Sequence, residues 1–393
     1  MDDQTITKAV NDRYARAVTL GEQLCCPTGY NYEELRRFIP EPVLKVSYGC
    51  GTPVGLTSVQ PGETVLDIGS GGGIDCFEAS RLVGPHGRVI GLDMTDEMLA
   101  LARAHAPTVA ANLGYAASNV DFRKGQAEAM PVDDASVDLI ISNCVINLSP
   151  QKSKVFHEMY RVTRPGGRFT ISDIVADQPL PNYLRYDTEK WGDCLAGALS
   201  VHDYWKGLRE AGFLGIHLVS ALPWRVIDGI HFFSVTLAGY KLPHDTASSA
   251  SCFATLTGPF PQVTDEFGQT YTRGIPERIS ARTATLLNLS RYRETFILSE
   301  APIRLTTLDP RWKAVLPEER PCVWEGHFAV LTGPFLDVHD DDTHVYHSGL
   351  PVEICSKTLK VLTSALYQPY FLIMNRASQT PSSDSVICEP GCC

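Results

Sequence analysis

The stretch Thr64-Val65-Leu66-Asp67-Ile68-Gly69-Ser70-Gly71-Gly72-Gly73-Ile74-Asp75-Cys76 decides how the rest of the chain is read. The apolar run TVLDIG predicts a strand. The glycines after it permit a tight turn and close approach of a ligand to the backbone. The segment IDCFEASRLV that follows has a helical pattern. Further apolar strands follow: VIGLDM from Val89, VDFRKG from Val120, LIISNCVI from Leu139 and, after the turn Arg164-Pro165-Gly166-Gly167, FTISDIV from Phe169. Strands alternating with helical patterns predict βαβ units and a mostly parallel sheet. The segments 215–222 and 229–241 read as a closing hairpin that adds an antiparallel strand.

Working outward, residues 1–60 hold helical patches around Cys25 and Cys26 and then the polar turn Tyr48-Gly49-Cys50-Gly51. A Ser/Ala-rich linker, 244–251, separates the α/β unit from a region with an internal repeat. FATLTGPF at 253–260 returns as FAVLTGPF at 328–335, an offset of 75 residues that also aligns Gly274 with Gly349 and Phe296 with Phe371. This predicts two copies of a small module of strands plus a helix, packed face to face as a pseudo-symmetric pair. The expected division is 1–60, 61–243, 252–300, 325–375 and a cysteine-bearing tail, 380–393.

The 393 residues are 44% hydrophobic, enough for a substantial core. Thirty-four basic against 45 acidic side chains give a net charge of -11, which argues against a general nucleic-acid or anionic-membrane binder. No apolar run approaches the ~20 residues of a membrane span. The opening residues carry no apolar signal core, so a cytoplasmic location is expected. In such a chain the 12 cysteines suggest ligation or redox chemistry rather than a disulfide framework.

The second strand ends in Asp93, 26 residues after Asp67, where a carboxylate can accept hydrogen bonds from vicinal ribose hydroxyls. No Gly-Lys-Ser/Thr follows the glycine loop, so it is not a P-loop. A nicotinamide dinucleotide is the rival ligand, but the Pro-Gly-Gly turn and the late hairpin favour another family. Over roughly 60–243 the loop Asp67-Ile68-Gly69-Ser70-Gly71-Gly72-Gly73 resembles class I S-adenosylmethionine-dependent methyltransferases. The resemblance implies a Rossmann-like α/β fold. It also implies that Asp67, Gly69 and Gly71 lie near the methionine moiety, Asp93 and Met94 near ribose and adenine, Gln126, Ala127 and Glu128 beside the adenine, and Asn143 beside the methionine.

Methylation of oxygen or nitrogen usually needs a base, yet no conspicuous histidine or paired carboxylate follows the fourth strand. Instead Cys144 sits at that strand's carboxyl end, Cys194 lies in Trp191-Gly192-Asp193-Cys194-Leu195, and Cys50 occupies the turn before the domain. Soft thiolates select soft metals and metalloids. Three of them around a trivalent centre leave its lone pair free to attack a methyl group, and such a nucleophile has no proton to lose. Zinc is disfavoured because no CxxC pair has matching spacing.

These segments, with Ser142-Asn143-Cys144-Val145-Ile146-Asn147-Leu148, closely resemble arsenite methyltransferases over about residues 1–300. The resemblance implies S-adenosylmethionine-dependent methylation of arsenite and methylarsenite, delivered as thiol conjugates, and hence arsenic detoxification. It assigns trivalent arsenic to Cys50, Cys144 and Cys194. It adds one of Cys25 and Cys26 as an upstream thiol that serves, with Cys50, the first methylation and disulfide cycling, while the later pair suffices for the methylated substrate. Glutathione or thioredoxin is the implied reductant, and a monomer is expected. The alternatives are a methyltransferase for another soft nucleophile or small carbon acid, and a thiol metalloid binder without catalysis. Cys76, Cys252, Cys322 and Cys355 are expected to pack rather than react. The second C-terminal copy looks like an addition to the family pattern.

Overall fold

The computed structural model describes residues 2–20, 29–46, 48–187, 190–191, 194–243, 252–307 and 323–375. Its centre is a sheet of eight strands: β1 (Thr64–Ile68), β2 (Arg88–Asp93), β3 (Val120–Lys124), β4 (Val137–Asn143), β5 (Thr163–Ala176), β6 (Leu199–Ser200), β7 (Leu214–Ile227) and β8 (Ile230–Tyr240). They run in the order β3-β2-β1-β4-β5-β8-β7, with the short β6 on β5. The first five strands are parallel, and β8 lies antiparallel between β5 and β7. This is the expected Rossmann-like sheet with its antiparallel closing strand.

Every residue of β4 is buried, as a central parallel strand covered on both faces must be. Side chains alternate between two cores. Val65, Val89, Leu139 and Ile141 face the helices Ile74–Val83 and Asp96–Asn112. Leu66, Ile68 and Ile140 face the helices Lys152–Val162 and Val201–Glu210, where Phe156 and Trp205 are buried. The N-terminal helix, Asp3–Leu20, sends Ile6 and Val10 into a small cluster with Trp191 and Ala196. No helix among the described residues is long and apolar enough to cross a membrane.

The repeat is structural as well as textual. The first copy runs β9 (Cys252–Leu256), β10 (Gln262–Thr264), β11 (Thr270–Thr272), β12 (Pro276–Ile279), a helix (Ala281–Leu287) and β13 (Phe296–Ser299). The second runs β14 (Trp324–Leu331), β15 (Asp337–His339), β16 (Val345–His347), β17 (Pro351–Cys355), a helix (Ser356–Leu362) and β18 (Phe371–Asn375). Each copy has its own three-stranded sheet, and the hairpins join in one four-stranded sheet of order β11-β10-β15-β16. Val263 pairs with Val338 at its centre, two positions 75 residues apart, so a local twofold axis passes between them.

The two copies therefore meet edge to edge through β10 and β15 rather than by faces alone. Pairing satisfies the backbone groups that two such short edge strands would otherwise expose. Aromatic side chains, Phe260 and Phe335 among them, fill the core the copies share. Tyr292 donates to the carbonyl of Pro334 at 2.7 Å, and its counterpart Tyr367 donates back to that of Pro259 at 3.2 Å.

Both copies seat on the α/β domain. The buried Glu266 pairs with Arg209 at 3.3 Å, and Val330, Leu372 and Met374 enter the core around Phe213 and Ile216. The approach at Gly333 is so close that a Cβ there would lie 2.0 Å from the carbonyl oxygen of Ile216.

Candidate active site

The glycine loop between β1 and the helix at Ile74 turns with Gly69, Gly71 and Gly73 all at positive φ. A Cβ on Gly69 would fall 2.1 Å from a methyl of Val145, so the loop can lie this close to the end of β4 only without a side chain there. The loop and the carboxyl ends of β1, β2 and β4 enclose a cavity that Asp67, Gly69, Gly71, Asp93 and Met94 line. Gln126, Ala127, Glu128 and Asn143 line it too, so every residue assigned to the cofactor from the sequence faces one space. Val10 and Tyr14 of the N-terminal helix complete the wall.

The carboxylate of Asp93 accepts from Gly71 N on one oxygen and from Thr95 N on the other, both at 2.8 Å. Each oxygen keeps a lone pair, which suits two vicinal hydroxyls. Asp67 and Asp75 are both buried beside the loop. Burial raises the Asp67 carboxyl well above the ordinary carboxylate range, with the neighbouring charge of Asp75 adding to it. Burial also raises Asp75 to about 6, against hydrogen bonds from Tyr30 and Asn143. Two atoms here, Ser70 Oγ and Asp75 Oδ1, are buried and without a partner. An unpaired acceptor beside two carboxylates fits a cationic ligand carrying an ammonium group, which describes S-adenosylmethionine.

Cys144 lines the same cavity. It follows β4 directly and takes φ +59, a left-handed conformation that costs a non-glycine residue of order 1–3 kcal/mol. Cys194 has the same φ of +59. Strain of this kind persists only where the surroundings enforce it, and here they are specific. Cys144 N donates to Ser172 O at 2.8 Å. Asn147 Nδ2 donates to Ile174 O at 2.6 Å and to Cys194 O at 3.4 Å.

The three thiols predicted to act together are together. Cys50 and Cys144 form a disulfide with their Cα atoms 5.7 Å apart, and Cys194 Sγ donates to Cys144 O at 3.2 Å. All three are buried in one apolar cluster with Ile174, Leu180 and Phe232. Cys25 and Cys26 lie outside the described residues, as do Gly192, Asp193, Cys322 and the cysteines of the tail. Cys76 is fully buried, with Sγ donating to Asp67 at 3.3 Å. Burial and the adjacent carboxylate push its thiol up, so it stays protonated. Cys355 is buried against Thr358, and Cys252 is half-buried on β9.

Several residues at the site escape sequence reading. Asp173 on β5 brings a carboxylate oxygen within 4.8 Å of the sulfurs of both Cys50 and Cys144. Burial raises it to about 7, while hydrogen bonds from Ile174 N and Asn147 N and the charge of Lys152 oppose the rise. Lys152 is brought down to about 8 by burial. Its ammonium donates to Asn147 O and Ser149 O and lies 5.1 Å over the Trp191 ring. A charged residue inside the apolar run FTISDIV was the available signal for Asp173. Nothing comparable marks Tyr30, which donates to Asp75 at 2.7 Å across 45 residues.

A methyltransferase-domain family matches residues 60–212. A domain of unknown function matches 254–311 and again 318–391. Curated relatives include an arsenite methyltransferase of Halobacterium salinarum, 40% identical over 238 residues that cover 55% of this chain and 59% of that protein. Another, from Mus musculus, is 31% identical over 371 residues, 87% of this chain and 93% of that one. The chain thus spans less than two thirds of the halobacterial relative and nearly all of the mouse one. Coverage of 87% takes the mouse match past residue 325, into the second copy. Among solved structures, an arsenic(III) S-adenosylmethionine methyltransferase from Chlamydomonas reinhardtii superposes with a TM-score of 0.55 at 32% identity, over 72% of this chain and all of that one.

Proposed function

The chain belongs to the arsenite methyltransferase family, and we propose that it transfers the methyl group of S-adenosylmethionine to trivalent arsenic held by cysteine thiolates. The observation that carries the reading is that Cys144, with Cys50 and Cys194 against it, opens into the very cavity that Asp67, Asp93 and Gln126 line. In that position a soft nucleophile bound to sulfur faces the cofactor.

When bound, S-adenosylmethionine supplies an electrophilic sulfonium methyl. The chain's own residues do the rest. Asp93 would hold the ribose, and Asp67 and Asp75 would attract the positive charge. Arsenite, arriving as a thiol conjugate, would exchange three sulfur ligands for Cys144, Cys194 and Cys50, whereas methylarsenite, with one bond already to carbon, would exchange two, for Cys144 and Cys194. Each exchange forms one arsenic–sulfur bond, breaks another and returns the proton to the departing thiol. The arsenic lone pair then takes the methyl group. The carbon–arsenic bond so formed would replace the carbon–sulfur bond of the sulfonium, whose charge the carboxylates of Asp67 and Asp75 would have held in place.

Arsenic is formally oxidised by two electrons in that step, and two thiols can return them by closing a disulfide. The bond between Cys50 and Cys144 supports this part of the cycle. Glutathione or thioredoxin would reopen it by thiol–disulfide exchange. No general base is needed at the nucleophile, because the arsenic lone pair carries no proton to remove.

The test is transfer of labelled methyl from S-adenosylmethionine to arsenite in the presence of glutathione, read as methylated arsenic by chromatography with element detection. Labelled methylarsenic is the expected product. Calorimetric binding of the cofactor with no arsenical product would overturn the reading.

A further inference from the structure

The side chain of Asn143 has no hydrogen-bonding capacity left over for a cofactor. Its Oδ1 accepts from Cys50 N at 3.0 Å and from Gly51 N at 3.2 Å, which uses both lone pairs. Its Nδ2 donates to Gly51 O at 2.8 Å and lies 3.1 Å from Tyr30 Oη and 3.3 Å from Asp75 Oδ2, which accounts for both hydrogens. The turn Tyr48-Gly49-Cys50-Gly51 is thus gripped on both its donor and its acceptor groups by one amide. The fit is tight from the other side as well. A Cβ on Gly49 would lie 2.5 Å from Asn143 Nδ2, and one on Gly51 would lie 2.5 Å from Ser172 Oγ. The carbonyl of Cys50 is held in turn by Ser234 Oγ.

Asn143 is also the residue before Cys144 in the chain. One amide therefore fixes the backbone of Cys50 relative to the backbone of Cys144, although 94 residues separate the two. We infer that Asn143 is a positioning residue whose side chain, through its contacts with Cys50 and Gly51, holds the Cys50 thiol within reach of Cys144. The inference extends the proposed function, because it treats Cys50 and Cys144 as ligands of the substrate. Its first consequence is independent of arsenic. Holding one thiol against another raises its effective concentration, and disulfide formation reports that quantity directly.

The experiment equilibrates the full chain in glutathione redox buffers and follows the Cys50–Cys144 pair by peptide mass mapping. Two variants attack the contact from its two sides. Asn143→Ala removes the clamp, and Gly49→Ala, at a glycine with no positive φ, pushes a methyl group into it. Each is expected to need an oxidised-to-reduced glutathione ratio at least tenfold higher for half formation. The double variant is expected to add little to either single one, since both break the same contact. In turnover, the loss is expected to be at least fivefold greater with arsenite than with methylarsenite, for which Cys144 and Cys194 suffice.

An unmoved disulfide midpoint in both variants overturns the inference. So does a loss of cofactor affinity without a shift in the midpoint, which would make Asn143 a cofactor residue. Should Asn143→Ala fail to fold, Gly49→Ala decides alone. If wild type methylates no arsenical yet the midpoint shifts as stated, the proposed function fails and the clamp stands.

Discussion

Cys144 sits at the crossing of the two chemistries, with its backbone in a left-handed turn and its side chain in the cavity that Asp67 and Asp93 line. Substituting Cys144→Ser replaces a soft, ionisable ligand by a hard hydroxyl of similar size. Methyl transfer to arsenite and to methylarsenite is expected to fall at least 100-fold, while calorimetric affinity for S-adenosylmethionine changes less than threefold. Activity within tenfold of wild type would remove Cys144 from the site. At this scale much was legible in the sequence. Cys50 stands out in its turn between glycines, and Cys144 and Cys194 stand out through the segments Ser142-Asn143-Cys144 and Trp191-Gly192-Asp193-Cys194 that resemble arsenite methyltransferases. The carboxylates were harder. Asp75 reads as an ordinary polar residue until folding brings Tyr30 to it across 45 residues, a contact that leaves no local pattern. Asp173 is marked only by its place inside the apolar run FTISDIV, and nothing local tells that two cysteines lie beside it.

Between elements, the offset of 75 residues announced a duplication, and the strands and helices recur at that spacing. How the copies join was not legible. β10 and β15 are three residues each, QVT and DVH, too short for a periodicity that would mark them as the seam. The reciprocal bonds from Tyr292 to Pro334 O and from Tyr367 to Pro259 O hold that seam from within the core. Tyr292→Phe and Tyr367→Phe each leave a buried carbonyl short of its donor, a change that costs about 1–3 kcal/mol. Urea denaturation of both variants checks this, and midpoints equal to wild type would mean the seam does not depend on these bonds.

Across the described residues, none beyond Pro150 lines the cofactor cavity, so the described part of the duplicated region braces the α/β domain from elsewhere. The brace has a charged bolt. Glu266 is buried against Arg209 and Gly215 N, and burial raises its carboxyl from 4.5 to about 7. A group whose folded pKa lies above its unfolded value takes up a proton on folding. Its contribution is therefore full below about pH 4.5 and lost as pH rises through about 7. The shift corresponds to about 3 kcal/mol at most. Glu266→Gln keeps the shape without the charge. The drop in melting temperature from pH 5 to pH 8 is expected to be smaller in this variant than in wild type, and an equal drop would show that Glu266 does not titrate in that range.

The central claim is that cysteine thiolates hold trivalent arsenic at the mouth of the cofactor cavity. X-ray absorption at the arsenic edge, on reduced full-length protein loaded with one equivalent of arsenite, tests it most directly. The account predicts a first shell of three sulfur atoms in wild type, falling to two in Cys50→Ser and in Cys194→Ser. A first shell of oxygen, or a sulfur count unchanged in both variants, would contradict it.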